Sequence, residues 1–132
     1  MVVDIADYPH GGTEMVILKR HVSGVNNMYS IFCGAQLFNG DLSEWDVSSV
    51  TDMSRMFFHA SSFDRDISKW DVASVKRIRD MFWGVKSFAG SILLKWESLY
   101  VNDMYSMFCS ATTSNSDISK WDVSNGYVLH VS

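Results

Sequence analysis

The chain has 132 residues, 47% of them hydrophobic and 20% charged, which is the balance of one globular domain. Its formal net charge of -4 argues against nucleic acid as a partner, because phosphate binding needs a basic footprint. No apolar run approaches the roughly 18 residues of a membrane span. The opening residues, with Asp4 and Asp7 among the apolar ones and no basic stretch, do not read as a signal peptide.

Residues 1–15 hold the only proline, Pro9, and the pair Gly11-Gly12, and read as an irregular N-terminal segment. From residue 16 onward the chain repeats itself. Asp41-Leu42-Ser43-Glu44-Trp45-Asp46-Val47 returns as Asp66-Ile67-Ser68-Lys69-Trp70-Asp71-Val72, then in weaker form around Lys95-Trp96-Glu97, then as Asp117-Ile118-Ser119-Lys120-Trp121-Asp122-Val123. A fixed period of this size is the mark of a solenoid. The units run over 16–40, 41–65, 66–90 and 91–116, with a partial unit at 117–126 and a C-terminal strand or tail at 127–132. The first unit is degenerate, with Arg20 at the tryptophan position, and the fourth has one extra residue before Trp96.

Within a unit, Trp45 and Val47 alternate with Asp46, which predicts a short strand. Val50, Met53, Met56, Phe57 and Ala60 then fall on one face of a helix of about three turns, with Ser49 as its N-cap. Phe63 follows in a return loop. The Met, Trp and Phe columns are core, and burial at about 1.5–3 kcal/mol per large side chain outweighs anything the surface charges supply.

The run W-D-V-S-x-V-x-x-M-x-x-M-F, followed by F-x-x-D-I-S-x-W, resembles the BspA-like leucine-rich-repeat surface proteins, also described by a mycoplasma-lipoprotein-type 25-residue repeat, over about residues 16–126. The resemblance implies an α/β fold: a leucine-rich-repeat-like right-handed solenoid, with short parallel strands on the concave side and short helices on the convex side. It also implies a surface or secreted protein that binds other macromolecules, with adhesion the usual role and no catalytic residues. The absence of a signal or anchor in this sequence points instead to the cytoplasm if the chain is complete.

The concave strand face would carry Glu44, Asp46, Lys69, Asp71, Lys95, Glu97, Lys120 and Asp122, the candidate contacts for a protein or glycan partner. An acidic column of Asp46, Asp71, Glu97 and Asp122 could attract a cation, but the lysines at the neighbouring position make it a paired, solvated face. Lys76, Arg77 and Arg79 form the only basic cluster. They read either as a partner patch or as a solvated face in which Arg77 lies between Asp52 and Asp103, and Asp80 beside Arg55. His10, His21, His59 and His130 do not cluster, and no metal-ligand spacing, nucleophile elbow or phosphate loop occurs, so neither cofactor nor metal is expected. Cys33 and Cys109 stand at one repeat position three units apart. At about 4.8 Å per unit that is some 14 Å, too far for a disulfide. The expectation is therefore a binding module rather than an enzyme. The alternative is a structural or intracellular scaffold whose open ends stack on further coils or on another copy.

Overall fold

The computed structural model describes residues 22–86, 96 and 101–111. The expected segment 1–15, residues 16–21, most of 91–116, the partial unit 117–126 and the terminal strand or tail 127–132 lie outside them.

Two runs in each unit were expected to differ, a strand and then a helix. Among the described residues neither forms. Residues 45–47 lie between two turns and pair with nothing as a strand, and residues 50–60 form turns rather than a helix. The β pairing that does occur is a row of isolated parallel bridges at Asn27, Asp52, Arg77 and Asp103, inside the stretch expected to be helical.

The backbone hydrogen bonds give the reason. The N–H groups of Met53, Arg55, Phe57 and His59 donate to the carbonyls of Arg77, Arg79, Met81 and Trp83 in the next unit, at 2.8–3.0 Å. The N–H groups of Met28, Ser30, Phe32 and Gly34 do the same toward Asp52, Ser54, Met56 and Phe58. Ile78, Asp80, Phe82 and Gly84 donate to Asp103, Tyr105, Met107 and Cys109. The intervening N–H groups of Met56, Phe58 and Ala60 close turns onto Met53, Arg55 and Phe57. Every second amide therefore joins the neighbouring unit, and the others bend the chain locally. A helix would direct all of them to carbonyls four residues back, leaving none to join the units.

This winding needs left-handed backbone at two points per unit. Ser30, Arg55, Asp80 and Ser106 have φ between 52° and 59°, and Gly34, His59, Gly84 and Ser110 repeat the conformation four residues on. A positive φ at the third residue of a β-turn is the type II signature. For residues other than glycine it costs about 1–2 kcal/mol each, which the stacked units offset by burial and by hydrogen bonds.

The core follows the turns. Leu42 and Trp45, Val47 and Val50, Met53 and Met56, Phe57 and Ala60, and Ala60 and Phe63 are the first and last residues of successive four-residue turns closed by hydrogen bonds of 2.9–3.2 Å. All of these residues are buried. Both ends of each turn point inward, so an apolar residue every third position arises without a helix.

Like residues then stack on like. Phe32, Phe57, Phe82 and Phe108 form a column with ring centroids 5.3, 5.6 and 5.9 Å apart and planes within 7° of parallel. That spacing lies in the favourable range for offset aromatic pairs. Phe63 lies 3.9 Å from Phe57 and also stacks on Phe38, closing the return loop over the column. Trp70 and Trp96 stack at 6.4 Å. Each indole N–H reaches back one unit, Trp70 to the Leu42 carbonyl at 2.9 Å and Trp96 to that of Ile67 at 3.2 Å. The extra residue of the fourth unit leaves this register intact, since Trp96, Asp103 and Phe108 still meet Trp70, Arg77 and Phe82. Cys33 and Cys109 are both free thiols.

Candidate partner-binding surface

The acids of the repeat have a local use. Asp41, Asp46 and Asp52 each accept a hydrogen bond from the backbone N–H two residues on, of Ser43, Ser48 and Ser54, at 2.9–3.1 Å. Asp66 and Asp71 do so for Ser68 and Ala73, Asn27 for Tyr29, and Asp103 for Tyr105. These are Asx-turns, in which a short carboxylate or amide replaces a backbone acceptor and starts a bend. They place an Asx residue at the corners of the described units.

This changes the reading of the expected binding face. Asp46 and Asp71 are exposed but engaged in turns. Asp46 also accepts from the Ser48 hydroxyl at 2.6 Å and from the Ser23 hydroxyl at 3.4 Å. The Ser48 hydroxyl and N–H, with Ser23, hold its carboxyl below the ordinary value of 3.8. The Ser43 N–H and hydroxyl, and then the nearby Arg65, do the same for Asp41. Glu44 and Lys69 are exposed at one repeat position, opposite charges in adjacent units. Lys95, Glu97, Lys120 and Asp122 lie outside the described residues. Among the described residues no three His, Cys, Asp or Glu side chains come together as a metal site.

The bridged run presents a different surface. Tyr29 and Tyr105 are 44% and 43% exposed, and with Leu37 they are the large hydrophobic residues most open to solvent among those described. The Arg55 guanidinium lies 4.3 Å from the centre of the Phe58 ring and reaches the Tyr29 hydroxyl at 3.5 Å. Arg79 lies 4.9 Å from the centre of the Tyr105 ring. Trp83 follows Phe58 at 5.8 Å in the next unit.

Charges alternate along this face. Arg77 Nε donates to Asp52 at 2.9 Å, and its backbone bridges both Asp52 and Asp103, the neighbour relation expected of it. Arg79 meets Asp80 at 3.5 Å. Arg55 Nε and Asp80 Oδ1 are buried and make no hydrogen bond. Tyr29, Phe58 and Tyr105 were not singled out from the sequence. Tyr29 and Tyr105 directly follow core Met28 and Met104 at one repeat position, a signal that was present, but the helical frame obscured that they share a face with Phe58.

The described residues define a stacked-repeat protein, its units joined by in-register backbone hydrogen bonds and its buried side chains sorted into core columns. The family model of the Mycoplasma protein of unknown function, DUF285, matches residues 12–121 and again 91–130, and the chain belongs to that family. No curated protein and no solved structure matches it.

Proposed function

We propose that the chain is a non-enzymatic, macromolecule-binding module of the adhesion type. It is a solenoid related to the BspA-like leucine-rich-repeat surface proteins and works at the cell surface. The repeat motif and the family match support the kinship. One observation carries the binding role: the outward side of the bridged run holds half-exposed tyrosines and arginines laid over aromatic rings. Tyr, Trp and Arg dominate the residues that carry binding energy at interfaces. Half-exposed aromatic rings and guanidinium groups gathered on one outer face are the kind of patch that marks a contact surface. This face is a better candidate than that of Glu44, Asp46, Lys69 and Asp71, where two of the four side chains serve turns.

The test is binding of the full chain to panels of purified matrix proteins and glycans. The triple variant Tyr29→Ser, Arg79→Gln, Tyr105→Ser is expected to lose at least about tenfold in affinity, as two or more contacts of 1 kcal/mol or more would. The pair Glu44→Gln, Lys69→Gln is expected to change affinity less than about twofold. Failure to bind any member of either panel removes the reading. Loss through the pair alone moves the interface to the other face.

A further inference from the structure

On the face just described lies an open basin of about 520 Å³ lined by Lys76, Arg77, Arg79, Asn102, Asp103 and Tyr105. Resting on the binding role proposed above, the geometry points to this basin as a subsite for a sugar that carries a carboxylate, one residue of an acidic glycan.

The charge is the first argument. The chain carries a net -4, yet three of its 11 lysines and arginines converge here with one acid among the lining residues. Arg77 lines the basin with its side chain 58% exposed, and Nε is the atom it uses on Asp52. A planar guanidinium is the group that receives a carboxylate through two parallel hydrogen bonds. Asp103 is held in place by its own turn, accepting from the Tyr105 N–H at 3.1 Å. Arg77 and Arg79 each keep an acid beside them, Asp52 at 2.9 Å and Asp80 at 3.5 Å, so the local charge suits at most one anionic group.

The second argument concerns what the rest of the ligand would touch. Tyr105 offers a ring and a hydroxyl, braced by the Arg79 guanidinium 4.9 Å from its centre. Exposed Asn102 and Lys76 add an amide and an ammonium beside it. An aromatic face flanked by amide, ammonium and guanidinium groups matches a ring with an apolar face and a rim of hydroxyls. A peptide strand has no comparable foothold. Four of the six lining residues have their backbone N–H already engaged: Lys76 and Arg77 with Thr51, Asn102 with Lys76, and Tyr105 with Asp103. Strand addition needs such groups free.

The test is calorimetric titration of the full chain with oligogalacturonate, its methyl ester, and poly-glutamate. Binding of oligogalacturonate with at least tenfold weaker binding of the ester is expected. Arg79→Gln and Tyr105→Ala should each weaken oligogalacturonate binding at least fivefold, whereas Tyr105→Phe, which keeps the ring, should weaken it less than threefold. Thermal unfolding of each variant reports that it is folded. Equal affinity for acid and ester, indifference to both Arg79→Gln and Tyr105→Ala, or preference for poly-glutamate each overturns the subsite. Absence of binding to oligogalacturonate does so as well. The broader binding role survives any of these results if a matrix protein or another glycan from the panels still needs Tyr29 and Tyr105.

Discussion

Trp70 fills a core position that a leucine could also fill, but only an indole can send an N–H back to the Leu42 carbonyl at 2.9 Å. Trp70→Phe keeps most of the apolar volume and removes that bond, while the Leu42 carbonyl keeps the Trp45 N–H at 3.0 Å, so a loss of about 0.5–1.5 kcal/mol is expected by urea unfolding. Gly84 is a second position with a stated constraint. Its φ is +72°, and a Cβ there would stand 2.5 Å from Nδ1 of His59. Gly84→Ala should destabilise by about 1–3 kcal/mol, and adding His59→Ala should recover the steric part while leaving the backbone part, a coupling that a double-mutant cycle reads directly. The carboxyls of Asp41 and Asp46 are held below 3.8 by the serines two residues on. The unfolded chain therefore takes up these protons first. The stability the two acids contribute is present above pH 3.8 and is lost as pH falls through their lower folded values. Asp46→Asn retains an acceptor, as Asn27 does in its own unit, and is expected to flatten the acid limb of a melting curve series taken between about pH 2 and 6.

At the scale of the element, turn and helix make opposite predictions for one substitution. Ser30 lies in a stretch whose apolar spacing, Val25, Met28, Ile31 and Phe32, fits a helix, yet its φ is 59°. In a helix Ser30→Gly would cost on the order of 0.5 kcal/mol. In the turn ladder it relieves left-handed strain and should be neutral or stabilising by up to about 1 kcal/mol. The sign of the change in midpoint denaturant concentration decides. The apolar positions themselves were legible: the residues placed in the core columns of the described units are buried, Phe38 partly. What was not legible was the curve of the chain between them. A run such as Val50, Met53, Met56 and Ala60 is spaced alike on a helix face and at the ends of successive turns. The aspartates were read as a surface column when they start turns, because spacing by 25 reveals that residues are neighbours and says nothing about which backbone amide each one meets.

For the whole molecule the stacked columns set the energetics. Phe57 is fully buried and sits between Phe32 and Phe82 at 5.3 and 5.6 Å. Phe57→Ala should cost about 3–5 kcal/mol and weaken two unit interfaces at once. The repeat period, the membership of each column, the interruption before Trp96 and the neighbour relation of Arg77 to Asp52 and Asp103 were all determined by the order of residues alone, because identical side chains at a fixed period can be buried together only by laying unit on unit. Tertiary structure decided where the ladder runs, which residues turn with positive φ, and which outer face collects the aromatic rings and guanidinium groups. The reason is physical. In a single unit the amides of Met53, Arg55, Phe57 and His59 could find backbone partners only locally, as in a helix, and it is the carbonyls of the next unit that draw them out of one.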